Sequence, residues 1–198
     1  MDREHWNRRY AGSELVWTAD ANRFLVAEVA DLIPARALDL ACGEGRNAVW
    51  LAERGWEVTG VDFADVGLAK AARLAQERDV QVDWVGADLL EYVPEPGAFA
   101  LVAVLYLHVV EAERQAILAR AAAALAPGGI LLVVSHDSSN LTEGRGGPQD
   151  PAILFTPEQV AAELPGLTIE RAETVQRPVA SPQGEAYAID ALVRAGRS

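Results

Sequence analysis

Two glycines and two acids set the chemical question in "ALDLACGEGRNAVWLAERGWEVTGVDF", residues Ala37 to Phe63. Gly43 and Gly45 form a turn after a short apolar run, Asp39 lies inside that run, and Asp62 closes the next one. Glycine reaches backbone angles closed to other residues and lets a ligand rest against bare main chain. The helix that follows offers its free N–H groups to polar or anionic parts of the ligand. At adjacent strand ends in a parallel sheet, Asp62 and the turn face one crevice. A carboxylate there can accept hydrogen bonds from both hydroxyls of a ribose, so the expected ligand is a nucleoside-containing cofactor. Gly43-x-Gly45-x-x-Ala48 also fits the dinucleotide pattern, which keeps a nicotinamide-dependent oxidoreductase open as a rival.

Two histidines stand at comparable places. His108 follows the apolar run "FALVAVLYLH", and His136 follows "ILLVVSH". If both runs are strands of the same sheet, both rings open on the crevice, where either can accept a proton near neutral pH. Asn140 and Arg145, in the polar segment Ser135–Pro151, are candidates to order over a substrate. Cys42 reads as a small buried filler rather than a nucleophile. His, Cys and carboxylates show no metal-ligand spacing.

The elements that position these groups alternate. Strands are expected at Ala37–Ala41, Glu57–Asp62, Val80–Val85, Phe99–Leu105 and Ile130–Val134. Helices are expected at Arg46–Arg54, at Asp65–Arg78 with Asp65 as N-cap, and at Glu111–Ala126 up to "PGG". This βα alternation predicts an α/β protein with a doubly wound, mostly parallel sheet covered on both faces. Thr156–Leu164 carries a capping box of Thr156, Pro157 and Gln159. Leu167–Val179 and Ala186–Arg194, linked through "SPQG", read as a terminal antiparallel hairpin, for seven strands in all. Asp2–Tyr10 and Asp20–Leu32, the latter with Asp20 as N-cap, read as a short N-terminal helical flap. We therefore expect one domain over residues 1–198, with the flap at 1–33 and the α/β core at 34–198.

Composition narrows the partners. The chain has 198 residues, 51% of them apolar, and a net charge of −12 with a single lysine, Lys70. A protein that grips nucleic-acid phosphates carries a basic face, and none is visible, so no nucleic acid is expected. The longest apolar stretch, Phe99–Val110, is too short to span a bilayer, which takes about 20 residues. No apolar signal-like core opens the sequence, and the lone Cys42 fits a reducing compartment. The expectation is a cytoplasmic protein with no membrane partner; oligomeric state is not legible.

The motif resembles the class I S-adenosylmethionine-dependent methyltransferases. "LDLACGEG" has an acid four positions before the first turn glycine. It is joined by "GVDF", by "GADLL" with Asp88, by "FALVAVLYLH", by "LAPGG" and by the terminal hairpin. The subpattern is similar to the small bacterial methyltransferases grouped with tellurite-resistance and thiopurine enzymes. Two positions depart: the family often has glycine where Ala41 stands, and aspartate where Ala100 stands.

The resemblance implies a Rossmann-like methyltransferase fold and S-adenosylmethionine as cofactor. It implies that Asp39 binds the methionine ammonium, Gly43 and Gly45 form the floor, and Asp62 holds the ribose. Phe63 would pack on the adenine, Asp88 and Leu89 would flank it, and Leu105 and Tyr106 would lie near the sulfonium. Trp17 is placed either to attract that cation through its ring face or only to pack the flap. His108 and His136 are the catalytic candidates. The acceptor implied is a small molecule, of thiol or tellurite/selenite oxyanion type. An ionised acceptor needs no base, whereas an oxygen or nitrogen acceptor would call on a histidine. A cofactor-binding regulator without turnover is the non-enzymatic rival.

Overall fold

The computed structural model describes residues 2–12, 14–180 and 184–198. The chain enters through helices α1 (Arg3–Tyr10) and α2 (Arg23–Glu28). It then alternates β1 (Arg36–Leu40), α3 (Arg46–Ala52), β2 (Glu57–Asp62), α4 (Asp65–Glu77), β3 (Asp83–Gly86), β4 (Phe99–Leu105), α5 (Glu111–Ala124) and β5 (Leu125–His136). The short α6 (Asn140–Glu143), α7 (Pro157–Ala162), β6 (Thr168–Val179) and β7 (Ala186–Gly196) complete it. The sheet has seven strands in the order β3-β2-β1-β4-β5-β7-β6. All pairings from β3 to β5 are parallel, and β7 runs antiparallel to both β5 and β6. The last strand is thus slotted between β5 and β6. Residues 181–183 of the "SPQG" link lie outside the described residues.

The central strands are buried along nearly their whole length, as a sheet covered on both faces requires. On one face Leu38, Val102, Val104 and Val133 pack with Ile117 and Leu118 of α5 and Val160 of α7. On the other, Ala37, Leu101 and Leu132 pack with Ala48 and Leu51 of α3 and Leu25 of α2. Wherever the order reverses, as it does where β1 meets β4, strand ends splay and leave a crevice at their carboxyl ends.

Several boundaries differ from the sequence expectation. α2 starts at Arg23 because Asn22, not Asp20, caps it, its side chain accepting from the N–H groups of Phe24 and Leu25. Asp65 is the first residue of α4 rather than its cap; Ala64 holds the cap position without a side-chain bond. β5 begins at Leu125, ahead of "PGG", because Leu125 already turns extended and pairs with Phe99. The segment 135–151 is not one open loop: Ser135 and His136 belong to β5, and Asn140 opens α6. The buried Asn140 ties this segment down, its Oδ1 accepting from Ile189 N–H at 2.7 Å and its Nδ2 donating to Gly146 O at 2.9 Å. The capping box of Thr156 and Gln159 forms as expected.

Candidate active site

A cavity of about 560 Å³ opens at the carboxyl ends of β1, β2, β4 and β5. Its floor is the turn of Ala41, Cys42 and Gly43, one wall carries Asp62 and Phe63, and the far end carries Leu105, Tyr106, His108 and His136. Trp6, Tyr10, Val16 and Trp17 roof it. Eight of the residues singled out in the sequence therefore share one cavity: Trp17, Gly43, Asp62, Phe63, Leu105, Tyr106, His108 and His136.

Four others do not line it. Asp39 sits behind the floor, 1% exposed. Gly45 serves packing: at φ +77 a Cβ would lie 2.5 Å from that of Ala71 and 2.6 Å from the Trp84 ring. Asp88 closes a local turn, its Oδ1 accepting from Leu90 N–H at 2.9 Å. Leu89 is buried in the core beneath.

The turn is shaped by left-handed backbone. Gly43 adopts φ +56, and a Cβ there would lie 2.8 Å from the Tyr10 hydroxyl. Ala41, at φ +60, stands where the family often has glycine, and a left-handed angle explains that preference. Asp62 braces the turn, its Oδ2 accepting from Gly43 N–H at 2.9 Å and its Oδ1 from Ala64 N–H at 2.8 Å. Each carboxylate oxygen keeps acceptor capacity for a ligand hydroxyl. Burial raises the Asp62 pKa, and these backbone bonds oppose the rise.

Asp39 is set in the row Ala103–Asp39–Gly60–Trp84 across the sheet. Its small neighbours leave the carboxyl room, and neither oxygen has an aligned hydrogen-bond partner. Burial, reinforced by the Asp62 charge, pushes its pKa up to about 7, while Arg46 and the Ala48 N–H pull the other way. Burial and the neighbouring His136 and Arg9 bring His108 down to about 4. The His108 and His136 rings lie nearly parallel, centroids 6.1 Å apart.

Comparison with known proteins gives this geometry a set of relatives. Residues 37–129 match the family model described as a methyltransferase domain. Over that stretch the chain is similar to methyltransferase domains. It is 38% identical over 125 residues to the demethylmenaquinone methyltransferase of Thermus thermophilus, covering 62% of this chain and 55% of that protein. The chain spans about half the length of the curated relatives it matches. Among solved structures, the N-methyltransferase NodS of Bradyrhizobium japonicum, in complex with S-adenosylhomocysteine, superposes with a TM-score of 0.74 at 18% identity, covering 98% of this chain and 97% of that one. TehB from Haemophilus influenzae gives 0.74 at 14% identity, covering 99% and 67%. At these identities the likenesses establish the fold.

Within the stretch that matches the methyltransferase model, the residues present fit S-adenosylmethionine. An orphaned buried carboxyl at Asp39 calls for a cation, the bare turn at Gly43 admits a ligand, and Asp62 offers acceptors at the cavity wall. Sequence reasoning missed five residues. Glu44, inside the glycine turn, is buried and accepts from Val16 and Trp17 N–H, pinning the segment before α2 to the turn. Lys70 neutralises it at 2.9 Å and donates to Glu14 O at 2.6 Å. Arg46 lines the cavity and, among the described residues, has no ion-pair partner. Asp190 and Arg177 complete a polar cluster at the far end. The signals were present: a lone lysine on an otherwise apolar helix face, and an acid inside the apolar run "YAIDALV".

Proposed function

We propose that the protein transfers a methyl group from S-adenosylmethionine to a small-molecule acceptor. The observation that carries this reading is the single cavity joining a glycine-floored, Asp62-walled end to a histidine-lined end. Asp62 would hold the ribose, and Phe63 would pack on the adenine. Asp39 would attract the ammonium of the methionine moiety, and Arg46 its carboxylate. When bound, the cofactor supplies an activated methyl group on a sulfonium. The chain's residues bind and align: Leu105, Tyr106 and the roof of Trp6, Tyr10 and Trp17 exclude water, and alignment supplies much of the rate. Trp17 takes Arg9 over its ring at 5.0 Å, which makes packing of the roof its better-supported role. Asp88 and Leu89, outside the cavity wall, are kept as second-layer supports of the adenine end.

The cavity volume supports a small acceptor rather than a polymer. Between the two acceptor types expected from the sequence, thiol and tellurite/selenite oxyanion, the two imidazoles favour the thiol, which has a proton to lose. The whole chain would work as one unit, residues 1–33 forming its flap, in a cytoplasmic setting consistent with one buried free cysteine. No helix among the described residues is long and apolar enough to cross a membrane. The test is transfer of an isotopically labelled methyl group from S-adenosylmethionine to a panel of small thiols, hydroxyl compounds and selenite, read by mass spectrometry. Labelled product from a small acceptor is expected; binding of S-adenosylmethionine with no product across the panel would make the protein a cofactor-binding regulator.

A further inference from the structure

Three strands along the sheet from the glycine turn, a buried carboxylate organises the far end of the cavity. Asp190, on β7, is 0% exposed and pairs in register with His136 of β5. Its Oδ2 accepts from the Tyr106 hydroxyl at 2.8 Å and from Arg177 Nε at 2.7 Å. Its Oδ1 lies 3.1 Å from His136 Nδ1 and accepts from Arg177 Nη2 at 3.4 Å. Arg177 Nε also donates to the Tyr106 oxygen at 2.9 Å.

The histidine is held from several sides. The Tyr106 ring tilts against it with centroids 5.1 Å apart. Gly147 (φ +76) lies so close that an added Cβ would be 2.8 Å from His136 Nε2 and Cδ2. Tyr106 itself adopts φ +55, a left-handed angle that strains a non-glycine residue and persists only where surroundings over-determine it. Of the two ring nitrogens of His136, Nδ1 is shut away from solvent and faces Asp190. Nε2 is left for the cavity that His136 lines. The Nδ1 contact is close without the alignment of a full hydrogen bond, as catalytic pairs often are before substrate binds. Burial pushes the Asp190 carboxyl up; its contacts with His136, Arg177 and Tyr106 outweigh that and hold it below the usual range.

Building on the methyl-transfer reading above, we propose that Asp190 is the positioning residue for His136. It fixes the proton on Nδ1 so that Nε2 takes a proton from the acceptor, and the acceptor is a nucleophile with a proton on its attacking atom, a thiol or a hydroxyl. The acceptor gives its proton to Nε2 and keeps the electron pair. That pair forms the new bond to the methyl carbon as the C–S pair stays with sulfur, and the imidazolium releases its proton to water. Arg177 and Tyr106 keep the carboxylate ionised and in place, and touch no reacting atom.

The test has two readouts. In ligand-free protein with ¹⁵N-labelled histidine, long-range ¹H–¹⁵N spectra report the tautomer of His136. We expect the Nδ1–H form in the wild type and a mixed or Nε2–H form in Asp190→Asn. A wild-type Nε2–H tautomer overturns the proposal, whether or not the variant folds. In turnover, Asp190→Asn should lower kcat with 2-mercaptoethanol by at least about tenfold, the scale of a lost general base. KM and S-adenosylhomocysteine affinity should hold within about twofold, and Asp190→Glu should recover part of the rate. Selenite, already ionised, should be spared. Equal loss with both acceptors, or loss confined to KM, would mean a purely structural network. Absence of S-adenosylhomocysteine binding in the wild type would instead refute the methyl-transfer reading and leave the tautomer result standing alone.

Discussion

Replacing Asp39 with asparagine should stabilise the ligand-free protein while weakening its hold on the cofactor. The carboxyl is fully buried, unpartnered, and raised from 3.8 to about 7. A folded-state pKa above the unfolded one means that the folded chain holds a proton the unfolded chain has released. The stability penalty is small below 3.8, grows between 3.8 and 7, and is complete above 7. A shift of about three units corresponds to roughly 4 kcal/mol at pH 8 and about 0.5 kcal/mol at pH 4. Asparagine keeps the shape without the charge, but its buried amide recovers at most part of this, since an unsatisfied group costs about 1–3 kcal/mol. The net expectation at pH 8 is a gain of roughly 1–3 kcal/mol for Asp39→Asn, disappearing by pH 4. Urea unfolding of both proteins at the two pH values measures it, and calorimetry with S-adenosylhomocysteine should show weaker binding by the variant. Equal stability at both pH values would refute the reasoning, because Asp39 would then already be ionised and compensated in the free protein.

Other expectations follow from the same physics. His108, lowered from 6.5 to about 4, favours its neutral form in the folded state. It contributes stability fully above pH 6.5 that is lost as pH falls toward 4, at most about 3 kcal/mol in all. His108→Gln should flatten that limb of a thermal-unfolding profile. Lys70→Met should destabilise the fold by about 3–5 kcal/mol, the cost of leaving Glu44 buried without its cation, and should speed proteolysis near residues 14–17. The Glu44→Gln/Lys70→Met double variant should recover much of the loss in a thermal-unfolding cycle.

Much of this molecule was legible from local pattern. Glu57–Asp62 and Phe99–Leu105 match their expected strands residue for residue, the second because a continuous apolar run leaves little choice. The capping box at Thr156 was equally plain. What a single chain hides is register between distant strands. Asp190 meets Arg177 and Tyr106 only because β7 slots between β5 and β6, and no local signal announces that. The same holds for Glu44 and Lys70, joined across a helix packing. Asp88 and Gly45 failed to reach the cavity wall for ordinary reasons: a local turn claims one carboxylate oxygen of the first, and helix packing claims the second.

Calorimetric titration of S-adenosylhomocysteine into the wild type and Asp62→Ala puts the cofactor assignment to its most direct trial. Two charge-assisted hydrogen bonds to a ribose are worth about 3 kcal/mol or more together, so the variant should bind at least about 100-fold more weakly than a wild type that binds at one site. Unchanged affinity in Asp62→Ala, or a wild type that ignores S-adenosylhomocysteine yet binds NADH, would contradict the account.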